Sequence, residues 1–594
     1  MEPGVVALVA AAAASVVMVF RPRRLRIPAT VQLGLLALAL SAAFAVLARA
    51  TLTVDGRYAE VADTASRATP WPYRLAGLWG GPRSSLLTFV WMIAMVAWAA
   101  AVAAALTPVA VRAMSGLIGG LSGLVLVFAN PFTRLDVPAI DGGGLTPILR
   151  HPAMLVHPVL LYFGLVLTLV SAFAFIEPDE RSRAAAFRLA RLAWGVLVLA
   201  LALGSWWAHA ELGWGGLWAW DPIENAGLVP FLLLTAAIHL VRADQARHGA
   251  ALVMVAGWCA LAGSTITRSG IGQSVHAFAS AERLGRALAL VAVVAACGVA
   301  VVIARQRGAL RHEPPTSGFP ESTGFTFFAA VVSALAAFIV TIGTVAPVVA
   351  DLAGSDSFSV AGRFYRPLWI LVVGGIGALS ILPGSNRWVT STAAIGGLFV
   401  AIAATRSLPV ALLLAGAFAA AASQMQLWQR VGSRVVPMTV AHLGGLLLLV
   451  GVGLSGTGVS VTAPLQLGES VRVQGHEVRF DRIVQRNEEE RTRVVAELTA
   501  RSLGRSHVMR PSLDRWNGVR APVAETATVS TWAVEVQAVL RSAVRGSDVA
   551  GTRDAIVLDV HVRPFVRLVW WGAALMGVGA LLTTRNRRAA DDAV

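Results

Sequence analysis

The sequence predicts an all-α polytopic membrane bundle of about fifteen transmembrane helices with one small extracytoplasmic β domain near its C-terminus. Three observations carry that expectation. Of the 594 residues, 56% are hydrophobic and only 14% charged, and apolar runs of about 20 residues, long enough to cross a bilayer, recur from end to end. Arginines gather between the runs, as in Arg21-Pro22-Arg23-Arg24-Leu25-Arg26, so the net charge of +16 reads as topology rather than as a nucleic-acid stripe. The segment 457–566 alone alternates apolar with polar residues, the period of half-buried strands.

Composition also excludes chemistry. No lysine occurs anywhere in the chain, which rules out a P-loop or a Schiff-base site. The two cysteines, Cys259 and Cys297, lie inside apolar runs and form no Cys-x-x-Cys. Covalent haem attachment to this chain, thioredoxin chemistry and a structural zinc site therefore lack their thiols.

Taken in order, the candidate spans are 4–20, 31–49, 85–106, 111–129, 155–176, 189–207, 226–242, 250–267, 287–304, 325–348, 368–382, 390–404, 408–424, 438–456 and 567–583. Met1-Glu2-Pro3 offers no basic n-region, so the first run reads as a retained span. An arginine-rich link at 21–28 belongs in the cytoplasm, which puts the N-terminus outside and gives every later link a side. Inner links carry further clusters such as Arg181, Arg183 and Arg188, and the tail Arg585-Asn586-Arg587-Arg588 is cytoplasmic. Residues 1–456 thus form a bundle with an outer loop at 206–225, residues 457–566 an outer β domain, and residues 567–594 a final span and tail. Within the β domain, Val471-Arg472-Val473-Gln474, Val478-Arg479-Phe480-Asp481, Trp532-Ala533-Val534-Glu535-Val536 and Ile556-Val557-Leu558-Asp559-Val560-His561-Val562 read as strands.

The loop at 206–225 is the most unusual stretch. Trp206, Trp207, Trp214, Trp218 and Trp220 fall within fifteen residues, interleaved with glycines and followed by Asp221-Pro222-Ile223-Glu224-Asn225. Scattered tryptophans mark a membrane interface; clustered ones, with glycines for close approach and carboxylates of their own, read as a platform for a flat ligand.

Eleven histidines are present, and topology sorts them. His248 and His312 fall in inner links and His476, His507 and His561 in the β domain, where solvated surface is the default. His151 and His209 border the platform as a gate, a spare ligand or satisfied polar groups. His157 opens the fifth span and His276 lies in the link after the eighth, so both share the platform's side. Two imidazoles across an aromatic floor are what six-coordinate haem iron requires. His239 and His442 lie within spans of opposite direction at similar depth near the cytoplasmic end. Intramembrane imidazoles are costly and usually paired or functional, although a lone one can simply bond a carbonyl, and equal depth does not make two helices neighbours.

With these residues in view the chain resembles the CcmF family, the large membrane subunit of the cytochrome c haem lyase. The likeness runs through Tyr73-Arg74-Leu75-Ala76-Gly77-Leu78-Trp79-Gly80-Gly81, Asn130-Pro131-Phe132, His157-Pro158, the tryptophan loop, Thr235-Ala236-Ala237-Ile238-His239, Arg268-Ser269-Gly270, Ser274-Val275-His276-Ala277-Phe278, Ala441-His442-Leu443-Gly444 and the closing β domain. It implies a protein of the bacterial inner membrane that receives haem, its transferred substrate, from the haem chaperone CcmE. The platform then holds that haem between His157 and His276. Its vinyl groups are joined to the cysteines of a Cys-x-x-Cys-His apocytochrome c presented by subunits of the CcmH/CcmI type. The resemblance also implies a resident b-type haem on His239 and His442 that reduces the transferred haem, with membrane quinol as a conceivable donor. No partner of nucleic-acid type is implied, and no catalytic acid or base is named. The chain departs from the family pattern at Val159, where a second proline is usual, at His209, where a tyrosine is usual, and at Ala219, where an aromatic residue is usual.

Arg268 ends the eighth span eight residues before His276. An arginine fork there suits a haem propionate, the alternative being a span-end side chain that snorkels to water. Two rival functions stand beside the lyase: a haem transporter or exporter, and a quinone-linked electron-transfer subunit. The chain shows no repeated halves to favour the first, and the second leaves the large outer platform without a role.

Overall fold

The computed structural model describes residues 2–22, 27–211, 213, 216–243, 245–269, 282–311, 321–354, 360–382, 385–404, 407–488, 490–502, 504–516, 522–546 and 553–585. Helices α1 (Pro3–Phe20) and α2 (Ala29–Leu52) pack together and against α5 (Ser84–Val102) and α6 (Pro108–Phe128); the short α3 (Ala59–Thr64) and α4 (Trp71–Gly80) fill the link between. The centre of the bundle is α7 (Pro152–Ala174), α8 (Glu180–Glu211), α9 (Pro222–Arg242) and α10 (Ala246–Ser269). Helices α11 (Glu282–Arg311), α12 (Glu321–Leu352), α13 (Pro367–Ser380), α14 (Arg387–Ala404), α15 (Leu408–Val431) and α16 (Val436–Ser455) follow, and α17 (Arg567–Arg585) closes the chain.

Every expected span coincides with a helix, while α3 and α4 are additional. Among the described residues, eleven stretches are long and apolar enough to cross a membrane, Leu408–Ser455 counting once although it holds both α15 and α16. A multi-pass helical chain is therefore established, whereas fifteen crossings are not. Several starts are written locally. Thr107 caps α6 by accepting from the Ala110 amide, His151 caps α7 and Asp221 caps α9, each with proline in the first turn.

The β domain is inserted between α16 and α17. Strands β1 (Val459–Gln466), β2 (Ser470–Val473), β3 (His476–Asn487), β4 (Arg491–Ser502), β5 (Arg505–Met509), β6 (Ser512–Trp516), β7 (Val523–Glu525), β8 (Ala527–Ser530), β9 (Val534–Val544) and β10 (Ala555–Pro564) form two antiparallel sheets. One runs β1-β10-β9-β8 and the other β2-β3-β4-β6-β7, with β5 paired to β4. Phe480, Leu498, Val536, Leu540, Leu558 and Val560 meet in the core between them, the alternation that strand periodicity requires.

What holds this domain over the bundle is the close approach of its two flanking helices. A Cβ on Gly572 of α17 would stand 2.4 Å from the Leu448 amide nitrogen, and one on Gly444 of α16 would stand 2.6 Å from that of Met576. Small residues let the backbones touch, as in membrane helix pairs generally. On another face α17 packs on α8, where Gly195 meets Ala580, so the domain sits above the end of α8.

Candidate functional site

Helix α8 has 32 residues, about 48 Å at 1.5 Å per residue, against a hydrocarbon core of about 30 Å. It therefore reaches beyond the apolar layer, with Arg181, Arg183 and Arg188 in its first turns and Trp206 and Trp207 in its last. The two neighbours diverge. Trp206 is half exposed and meets His151 edge-on at 5.0 Å. Trp207 is buried against Ala76, Leu149 and Met154, and its indole N–H donates to the Ile148 carbonyl at 3.1 Å. It anchors the helix end instead of offering a face.

The return into α9 is organised by Asn225, which is fully buried. Its Oδ1 accepts from the Trp218 indole at 3.3 Å, and its Nδ2 donates to the Trp220 carbonyl at 3.2 Å. Trp220 has φ 61°, an uncommon backbone conformation for a bulky residue, and stacks on Tyr365 at 4.1 Å with planes 7° apart. Tyr365 lies 140 residues further on and also receives an Asn225 N–H at 3.4 Å. Nothing local in the sequence points to it.

Asp221 and Glu224, expected to equip the platform with ligand-facing carboxylates, close the loop onto the helix. Asp221 accepts from the Ile223 amide at 2.7 Å, and Glu224 reaches back to the amides of Ala219 at 2.8 Å and Asp221 at 3.4 Å, a reciprocal capping box. The sequence signal was there: Asp, Pro, x, Glu are N-cap, N1, N2 and N3 of a helix.

His157 lies one turn into α7. Its Nδ1 is 2.8 Å from the Ala200 carbonyl of α8; a carbonyl only accepts, so Nδ1 carries the proton and Nε2 the lone pair. The ring fills a notch left by Gly204, where a Cβ would come within 2.5 Å of Cε1. Gly204 is two residues before Trp206, so the imidazole and the tryptophans share one helix end. His276 and Trp214 lie outside the described residues, and the second expected platform ligand is therefore not placed.

Arg268 does not snorkel. Only 2% exposed, it donates to the carbonyls of Ser264 at 3.1 Å and Ser85 at 3.4 Å and to the Tyr162 hydroxyl at 3.2 Å, beneath the Phe89 and Tyr162 rings. Among the described residues its Nε has no partner and no carboxylate pairs with it. A cation buried in this way is costly unless an anion completes it.

The other two bordering histidines are committed. His151 Nδ1 accepts from the Ala153 amide at 3.1 Å as the cap of α7, and burial lowers its pKa. His209 points its Nε2 at Glu535 of β9. Burial tends to raise the pKa of Glu535, but the His209 and Ser530 hydrogen bonds outweigh it and hold the carboxyl below its usual value. Beside this contact a cleft of about 410 Å³ opens, lined by His151, Trp206, Glu211, Thr526 and Trp570.

At the opposite end of α9 the structure brings His239 and His442 together. Their ring centroids are 6.2 Å apart with planes inclined by 33°. Each Nδ1 has an acceptor beside it: the Thr235 carbonyl at 2.8 Å for His239 and Gln424 Oε1 at 3.3 Å for His442. Both lone pairs therefore fall on Nε2. Two metal–nitrogen bonds of ~2 Å and the radii of two imidazole rings together span about 6 Å, a length that the 6.2 Å centroid separation matches. Gln424, a further participant, was not visible from the sequence.

Comparison with known proteins concerns the chain as a whole. Residues 79–263, which run from α4 to α10, match the family model described as cytochrome C assembly protein. The probable cytochrome c-type biogenesis protein NrfE of Escherichia coli is 31% identical over 94% of this chain and 96% of its own length. The cytochrome c-type biogenesis protein CcmF of Pseudomonas aeruginosa is 28% identical over 92% of this chain and 90% of its own. A solved structure titled cytochrome c heme lyase CcmF superposes with a TM-score of 0.77 at 21% identity, covering 98% of this chain and 95% of that one.

Proposed function

Because this chain belongs to the CcmF–NrfE family of cytochrome c-type biogenesis proteins, we propose that it is a cytochrome c haem lyase subunit. It acts within a complex and binds its haem substrate on the tryptophan platform. The observation that carries this reading is His157, whose imidazole is held by the Ala200 carbonyl in the Gly204 notch with its lone pair on Nε2, two residues from the paired tryptophans. Trp206, Trp218 and Trp220 offer aromatic surface, Arg268 supplies a buried cation for a propionate, and His276 completes the axial pair. Haem arrives from a chaperone of the CcmE type, and the Cys-x-x-Cys-His apocytochrome c is presented by subunits of the CcmH/CcmI type.

The reaction is addition of substrate thiols across the two vinyl groups. The protein's part is orientation: stacking fixes the plane of the substrate, an imidazole fixes its centre and an arginine fixes its edge. The platform faces the extracytoplasmic side of the bacterial inner membrane, with the N-terminus outside and the C-terminus in the cytoplasm, as the arginine links require. At the other end of the bundle, His239 and His442 are the residues that would hold a resident b-type haem; when bound there, it supplies one-electron reduction. Thr235 and Gln424 fix the orientation of the two rings for that role.

The test is reconstitution. Purified protein with its partner subunits, haem and a Cys-x-x-Cys-His peptide should form thioethers, detected by the shifted pyridine-haemochrome band and by mass. Haem crossing the membrane without thioether formation would favour a transporter.

A further inference from the structure

Strand β9 has two faces and both are covered. Val536, Ala538 and Leu540 turn into the core of the β domain, so Glu535, Gln537, Val539 and Arg541 turn away from it. An outward face of this composition would ordinarily be wet, yet Glu535 is 9%, Gln537 1% and Val539 0% exposed. What covers them is the end of α8 and the first residue described in the tryptophan loop.

The contacts follow the strand. The Glu535 carboxylate accepts from His209 Nε2 and, at 2.6 Å, from the Ser530 hydroxyl. Gln537 Nε2 donates to the His209 carbonyl at 2.8 Å, and Thr526, which that amide also touches at 3.3 Å, donates to the Ala210 carbonyl at 2.6 Å. A Cβ on Gly213, which has φ 63°, would stand 3.0 Å from Val539 Cγ1. Arg541 donates to the Gly213 carbonyl at 3.0 Å while Asp559, itself bonded to Thr462, holds its Nε at 2.6 Å.

The last four carbonyls of a helix lack intrahelical donors and must find others. For α8 two of these donors come from the β domain, Gln537 of β9 for the His209 carbonyl and Thr526, between β7 and β8, for that of Ala210. Alternate residues of one strand face thus meet successive groups of one helix end and its loop. Water could satisfy the same carbonyls, but it would not fix their height or direction.

We infer that the outward face of β9 is the mount of the tryptophan platform, with Glu535, Gln537 and Arg541 as positioning residues for haem bound there. The inference rests on the haem-platform reading above. It gives the β domain a role in orienting the substrate and makes His209 part of the mount rather than an iron ligand.

The test uses the full-length protein carrying Gln537→Leu and Arg541→Leu, singly and together. Three signals are read: haemin affinity at the platform from a Soret titration, the reduced low-spin b-type band as an internal measure of an intact bundle, and hydrogen exchange of the 206–225 backbone. The double variant should bind platform haemin ~10-fold or more weakly, the scale expected when an orienting partner is lost. Its platform Soret band should shift and its loop amides should exchange faster, with the b-type band unchanged. Wild-type haemin affinity, Soret position and exchange in the double variant would overturn the mount. Faster exchange in the variants of a protein whose wild type takes up no platform haemin would support the mount and overturn the haem reading instead. His209→Ala combined with Glu535→Ala should be no worse than either alone, since they are two halves of one contact; additive losses count against it.

Discussion

His239 and His442 sit on two helices of the bundle, 6.2 Å apart, each imidazole turned by a neighbour one helical turn or one helix away. His157 stands at the other end, where an imidazole notch, a loop folded around Asn225, a buried arginine and a separate β domain must all agree before anything flat can bind. The first site has few parts, two rings and one hydrogen-bond acceptor for each. The second is open on one side, built from elements scattered over the chain, and suited to a molecule that arrives and leaves. Resident cofactors call for the first construction and transferred substrates for the second.

The comparison can be broken at its strongest point by His157→Ala. Loss of an axial imidazole should reduce cytochrome c maturation on the order of 100-fold and leave the b-type band intact, because the ring lies at the opposite end of the bundle from His239 and His442. His276→Ala should do the same. Normal c-type cytochrome levels in both single variants would remove the platform from the account. Next in size is Gly204→Ala, which sets a methyl within 2.5 Å of the His157 ring. Overpacking of this kind costs about 1–3 kcal/mol, and platform haemin should bind ~10-fold more weakly as the imidazole shifts; an unchanged Soret titration contradicts that.

Part of this arrangement is legible in the sequence and part is not. Apolar runs and strand alternation are local, so the helices and strands fall where periodicity places them. Equal depth of His239 and His442 followed from span direction, but their adjacency is a packing result. Tyr365 accepts from Asn225 across 140 residues and stacks on Trp220, and the β9 face reaches α8 across more than twice that; no window of sequence contains these pairs. Asp221 and Glu224 are legible as a helix start, since Asp-Pro-x-Glu spells a capping box, even though the tryptophans beside them suggest carboxylates for a ligand.

Arg268→Gln sharpens the contrast more gently. If a propionate completes the buried cation, haemin affinity should fall about tenfold, while the haem-free protein should melt no lower, since it loses a buried charge that no carboxylate among the described residues neutralises. Unchanged haemin affinity would leave Arg268 as a packing residue. Asp221→Asn should have the smallest effect. Asparagine caps a helix about as well as aspartate, so stability and haemin binding should both hold, whereas Asp221→Ala should cost ~1 kcal/mol of stability. A large loss of haemin binding in the asparagine variant would return the carboxylate to the ligand.

The distinction between a resident and a transferred haem is tested most directly by one spectrum. Wild type and the His239→Ala/His442→Ala variant are purified without added haem, reduced with dithionite and scanned through the visible region. The account predicts a low-spin b-type α band in the wild type, its loss in the double variant, and unchanged uptake of added haemin at the platform in both. An undiminished α band in the double variant would show that these histidines hold no haem and that their 6.2 Å approach is packing alone.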